Sequence, residues 1–271
     1  MTTPENRVVL FVDLLGFAWL TEKYPLDLDA IKHSQSPLGG NLDELLTADR
    51  NPLTRAFIRF HHTMKWAIEF ALMSHPLTAI TFSDSAFIAT TTLSESVAIS
   101  TYILQSLLRS RVPARMGIAY GKFSAVRFRS DVSLEGSDHS AHFLGTGVVR
   151  SYAAEGCGIK GIRILLHPSA AALLADPSHI QSKAKEISIV ECAGDECIND
   201  IGVKYEIDYW RFKPTAEAKA WHALQDMWSV APPSAHPHYE ATAQAVNRMR
   251  VSQGAPSLSN MRRRTLPRKS M

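Results

Sequence analysis

Cysteine is scarce: Cys157, Cys192 and Cys197 are the only three in 271 residues. An odd number without paired ligand spacing excludes a disulfide framework or a zinc ribbon and reads as small buried fillers. Net charge is nearly absent as well, a formal +3 with much of the excess in the last dozen residues, so overall charge gives no argument for nucleic acid. No stretch is long and uncharged enough to span a bilayer, and no apolar segment precedes the first strand, so the expectation is a soluble, cytoplasmic protein. There is no repeat and no low-complexity tract apart from the polar, Pro-rich C-terminal part. What is present is an ordinary apolar fraction of 45%, enough for one large domain or one domain with an appendage.

The chain is organised around Val8-Val9-Leu10-Phe11-Val12-Asp13-Leu14-Leu15-Gly16-Phe17. A run this apolar reads as a strand buried on both faces, where a carboxylate near the end has no structural use. Asp13 is followed by a turn at Gly16 and then by residues that open a helix. Strand, acid, tight turn and helix start together suit a hard cation that carries phosphates.

In chain order, Ala18 to about Ile31 reads as a short helix broken at Pro25, and His33 to Arg50 as a surface loop. Asn51-Pro52 caps a long amphipathic helix with Leu53, Phe57, Phe60, Met64, Ile68 and Leu72 on one face, ending near Pro76. His61 and His62 sit on it as ordinary surface or rim residues. Leu77 to Thr92 reads as a β-hairpin with Asp84 in its turn. Thr92 or Ser94 caps the next helix, which Pro113 stops. Arg115 to Gly121 is a strand ending at glycine, and Lys122 to Arg129 returns from it. The order strand, helix, strand, strand, helix, strand is a split βαβ arrangement with helices on one sheet face and the first and third strands parallel neighbours. Ser130 to Ser140 reads as a loop, Phe143 to Glu155 as a lead-in and helix, and Gly161 to Leu166 as a strand. Segments at 186–192 and 203–212 pair as late strands. Thr215 to Val230 and Tyr239 to Val251 read as helices, followed by a basic tail, Met261-Arg262-Arg263-Arg264 and Arg268-Lys269.

Phe11-Val12-Asp13-Leu14-Leu15-Gly16-Phe17 resembles the first metal motif of class III nucleotidyl cyclases, and Phe82-Ser83-Asp84-Ser85-Ala86-Phe87 is similar to their second, with Ser83 in place of the usual glycine. Arg115-Met116-Gly117-Ile118-Ala119-Tyr120-Gly121 looks like the third segment and Phe143-Leu144-Gly145-Thr146-Gly147-Val148-Val149 like the fourth. Taken alone, Asp13 reads as a helix cap and Asp84 as a turn residue. The resemblance makes them a metal pair, with the Leu14 carbonyl as a further metal ligand and the amides of Leu15, Gly16 and Phe17 as phosphate contacts. It implies two Mn²⁺ or Mg²⁺ ions per site and attack of the ribose 3′-hydroxyl on the α-phosphorus.

The resemblance is incomplete in two places. The positions of the family's asparagine and transition-state arginine hold Val149 and Ala153, leaving Arg115 or Arg150 as candidates for that role, with a surface ion pair the plain reading of Arg115. The purine-reading lysine and acid are replaced by Ile80 and His142. This pattern resembles the pyrimidine cyclases of bacterial anti-phage (Pycsar) systems, and Arg115 as a donor to a uracil carbonyl favours UTP over CTP. His139 and His142, spaced like a metal pair, read as loop histidines.

The expectation is therefore an α+β fold with a ferredoxin-like split βαβ sheet and packed helices. Residues 1–213 form the cyclase domain and 214–271 a helical extension with the basic tail. The activity implied is conversion of UTP to cyclic UMP in a homodimer with composite sites. A downstream effector activated by the cyclic nucleotide is implied too, without membrane or nucleic-acid partners. The alternatives are a cytidylate or purine cyclase, or an inactive nucleotide-binding module.

Overall fold

β1 (Glu5–Leu14) alternates two buried rows. Val8, Leu10, Val12 and Leu14 enter the main core, while Val9 packs with Ala89 and Phe123 on the opposite face. The chain is described by a computed structural model over residues 5–25, 51–72, 76–129, 139–180, 187–193, 199–259 and 261. α1 (Phe17–Lys23) starts at Gly16, whose φ of 76° is left-handed and suits glycine. The rest of the helix expected to Ile31 and the loop expected over His33 to Arg50 fall at 26–50, outside the described residues.

α2 (Pro52–Leu72) is capped by Asn51, whose Oδ1 accepts from the Leu53 amide at 2.8 Å. β2 (Thr78–Thr81) and β3 (Ser85–Thr90) form the expected hairpin. α3 (Leu93–Arg109) carries a full capping box, in which Thr92 accepts from the Glu95 amide and Glu95 accepts from the Thr92 amide. β4 (Ala114–Arg129) is one continuous strand of 16 residues, where the sequence predicts two. Gly121 does not turn the chain. A Cβ there would lie 2.6 Å from the Thr146 hydroxyl and 2.7 Å from the Gly147 amide, so the glycine admits a packed helix instead.

The return strand is β5 (His139–Leu144), antiparallel to β4, so His139, Ser140 and His142, expected in a loop, stand on a strand; the rest of the expected loop, 130–138, falls outside the described residues. There follow α4 (Thr146–Glu155), β6 (Ile164–Leu166), the short α5 (Pro168–Ala171), β7 (Ile189–Glu191), β8 (Tyr205–Ile207), α6 (Pro214–Val230) and α7 (His236–Ser252). β7 and β8 are the expected late pair.

The fold is α+β. An eight-stranded sheet runs β2-β3-β1-β4-β6-β8-β7, with β5 paired to β4. β3 lies between β2 and β1 and is antiparallel to both. That corrects the parallel pairing expected of the first and third strands, and it decides the site: antiparallel pairing sets the start of β3 against the end of β1. Helices also cover both faces rather than one. α2 and α3 bury Phe60, Met64, Ile103 and Leu107 in the main core, and α4 lies on the other face, with Val148 against Val9 and Phe123.

The C-terminal helices are packed into this same core. Leu224 and Met227 of α6 and Val246 and Met249 of α7 share a cluster with Leu10 and Ile164. A fully buried pair, Arg163 Nε to Glu206 at 2.6 Å, reaches α7 through Arg248, 3.2 Å from the same carboxylate. Cys157 is half-buried and Cys192 buried; Cys197 and the tail beyond Met261 fall outside the described residues. No helix among the described residues is long and apolar enough to cross a membrane.

Candidate active site

The two acids are brought together by sheet register. Asp13 is opposite Ser85 on β3 and opposite Arg115 on β4, and the Leu14 amide donates to the Asp84 carbonyl at 2.9 Å. Asp84 therefore stands in the turn directly beside the end of β1. Both side chains are half-buried. Ser83 supports the second acid, its hydroxyl donating to Asp84 Oδ1 at 3.2 Å.

Burial pushes the Asp13 carboxyl up from 3.8 to about 7, helped by the charges of Glu155 and then Asp84, with Arg115 opposing. A carboxylate held this unfavourably in the bare protein gains most from a cation. Among the described residues no group of three or more His, Cys, Asp and Glu is placed to hold a metal ion. The donor set is two carboxylates and, one residue past the last β1–β3 ladder pair, the Leu14 backbone. That set fits Mg²⁺ or Mn²⁺, which is commonly held by one or two carboxylates and completed by substrate phosphates and water.

The neighbouring backbone is only partly available. The Leu15 amide, expected as a phosphate contact, donates to the Pro113 carbonyl at 2.9 Å. Gly16 and Phe17 open α1, where amides have no partner within the helix.

Of the two readings of Arg115, the structure shows the ion pair, with a buried acid in place of a surface one. The Arg115 Cα faces Asp13, but its Nε donates to Glu155 at 2.6 Å and its Nη1 to the Ile159 carbonyl at 3.0 Å. The guanidinium is thus held along the end of α4, not extended past β1 towards a nucleotide. Glu155 was not legible as a member of this site; only the close packing of α4 on β4 brings it there.

Arg150 and His142 are not brought to the acids within one chain. Arg150 donates to the Tyr120 carbonyl at 3.1 Å, about 17 Å along β4 from Arg115 at the usual rise per residue. It serves there as a substitute ladder partner: β6 stops at Leu166, and the Ser169 hydroxyl takes the Tyr120 amide at 3.0 Å while Arg150 takes its carbonyl. His142 is exposed on β5 opposite Val126, about 35 Å along β4 from Arg115. Ile80 is half-buried on β2 across from Phe87.

An aromatic patch adjoins the acids. Phe11 lies 4.5 Å from Phe87 and 5.3 Å from Tyr152 between ring centres, and Tyr152 is 60% exposed. Phe11 is two residues from Asp13 on the same face of β1, so this surface borders the site.

No family model matches the sequence, and no curated protein sequence does. Several solved structures have a similar backbone course. The guanylyl cyclase Cya2 is 13% identical with a TM-score of 0.46, over 76% of this chain and 93% of its own. A bacterial light-regulated adenylyl cyclase is 13% identical with a TM-score of 0.49, over 82% and 100%. A class III adenylyl cyclase-like ATP-binding protein from Pseudomonas aeruginosa is 11% identical with a TM-score of 0.44, over 62% and 34%.

Proposed function

We propose that this chain is a class III nucleotidyl cyclase that converts UTP to 3′,5′-cyclic UMP and pyrophosphate, acting as a homodimer with composite sites. The product is a second messenger for anti-phage defence, read by a downstream effector. One observation carries the reading: two half-buried carboxylates, Asp13 and Asp84, stand at adjacent positions beside the Gly16 turn, one of them pushed up to about 7.

Divalent ions bound there would supply Lewis acidity, making the ribose 3′-hydroxyl easier to ionise and neutralising charge on the leaving pyrophosphate. Asp13 and Asp84 hold that charge in place. Gly16, with no side chain, lets backbone approach the phosphates. Glu155 and Arg115 set the field around Asp13, so Arg115 is a positioning residue in this account.

The separation of Arg150 and His142 from the acids favours a symmetric dimer in which one subunit's distal residues serve the partner's acids. Ile80 supports a pyrimidine, because an apolar side chain cannot donate to a purine ring nitrogen. His142 is compatible with uracil, because an imidazole N–H can donate to a carbonyl where a carboxylate cannot, and its other nitrogen can equally accept from the amino group of cytosine.

A second reading, a module that binds nucleotide without turning it over, is favoured by the engagement of both arginines with protein groups, Arg115 with Glu155 and Arg150 with Tyr120. Incubation with each of the four ribonucleoside triphosphates and Mn²⁺, followed by chromatography, separates the readings. Cyclic UMP with pyrophosphate is expected. Cyclic CMP or a cyclic purine nucleotide would correct the substrate, and binding without any product would favour the module.

A further inference from the structure

The hairpin that carries Asp84 reverses over Ser83 and Asp84, between the Thr81–Ala86 ladder pair and a bond from the Phe82 amide to the Ser85 carbonyl at 2.7 Å. Hairpin loops this tight normally take a left-handed residue, supplied by glycine or asparagine, so that the turn matches the twist of its strands. Neither Ser83 nor Asp84 has a positive φ. The turn is therefore not held by its own residues alone.

Two bonds from other elements hold it. One is the Leu14 amide to the Asp84 carbonyl. The other comes from α2, where His61 Nε2 lies 3.3 Å from the Ser83 carbonyl. A carbonyl only accepts, so Nε2 carries the proton. The ring is seated between Phe57 and Phe60, with centroids at 4.3 and 5.2 Å, and burial keeps His61 below its usual pKa, so the neutral donor prevails at neutral pH.

We infer that His61 is a positioning residue: it pins the Ser83–Asp84 turn to α2 so that the Asp84 carboxylate is set beside Asp13 before any cation arrives. Ser83 then passes the constraint on, its carbonyl held by His61 and its hydroxyl on the Asp84 carboxylate. This rests on the proposed metal role of the two acids. It assigns a function to a histidine that sequence reads as a helix-surface residue.

The test compares His61→Leu, which removes the donor, with His61→Gln, whose side-chain amide can restore it. Two readouts are taken on nucleotide-free protein: hydrogen exchange of the amides at Leu14 and Phe82, and Mn²⁺ binding by electron paramagnetic resonance. A double variant, Asp13→Ala with Asp84→Ala, gives the baseline for binding elsewhere.

His61→Leu is expected to exchange faster at both amides and to weaken Mn²⁺ binding about tenfold, as loss of a group supporting a ligand does. His61→Gln is expected to recover most of both. Unchanged exchange in His61→Leu overturns the pin. Faster exchange with Mn²⁺ affinity unchanged, and still above the baseline, overturns the positioning role. Wild-type binding no tighter than the baseline overturns the metal reading itself, and exchange alone then decides the pin.

Discussion

Arg115 stands directly across the sheet from Asp13, and its guanidinium is bound to Glu155. The charge nearest to balancing Asp13 is therefore shared with a second carboxylate. Replacing Arg115 with Met leaves Glu155, whose side chain is 7% exposed, buried without its partner. A loss of about 3 kcal/mol in denaturant unfolding is expected. Asp13 loses the one charge that lowers it, so Mn²⁺ binding measured against pH shifts to higher pH.

Asp13 itself makes the metal-free protein pH-dependent. Its carboxyl titrates at about 7 when folded against 3.8 unfolded, so between those values the folded state holds more protons. The contribution of this group to stability is fully present below 3.8 and is lost as pH rises through about 7. Asp13→Asn is expected to raise the melting temperature at about pH 8 and to have little effect at about pH 4. Adding Mn²⁺ at the higher pH recovers the deficit of the wild type, and binding at about pH 6 releases about one proton.

Glu206 is fully buried between Arg163 and Arg248. Glu206→Ala strands the buried Arg163 guanidinium just before β6 and loosens α7 in one step. A loss of about 4 kcal/mol in denaturant unfolding is expected, much more than for removal of the exposed Lys65–Glu69 pair on α2.

Composite sites can be tested by complementation. Asp13→Ala and Arg150→Ala are each expected to be inactive alone. Random mixing of the two leaves half the dimers with one intact site, so about a quarter of wild-type activity returns. No recovery in mixed dimers of demonstrated composition would show that Arg150 and Asp13 serve the same subunit.

Asp13 stood out because it closes a buried apolar strand, where a fold has no structural need of charge; Asp84, a plain turn residue by pattern, was paired with it only through the resemblance. The hairpin, the Asn51 and Thr92 caps and the two late helices were legible from local pattern. The antiparallel course of β3 was not, because strand direction in a sheet depends on where a hairpin inserts, not on the hairpin's own residues. What Arg115, Arg150 and Leu15 touch was not legible, for one common cause. Their polar groups meet Glu155, Tyr120 and Pro113, partners 40, 30 and 98 positions away, and periodicity carries no information at that range. His61 was missed likewise, since only the packing of α2 against the hairpin reveals what its ring touches.

The most direct test is turnover of UTP with Mn²⁺ by the wild type, Asp13→Ala, Asp84→Ala and the double variant, each verified as folded. On the proposed reading the two acids act as one unit, so each single substitution is expected to lower cyclic UMP formation by about a thousandfold or more, and the double variant to lower it little further. Near wild-type turnover in Asp84→Ala, or losses that multiply in the double variant, would contradict a shared cation site.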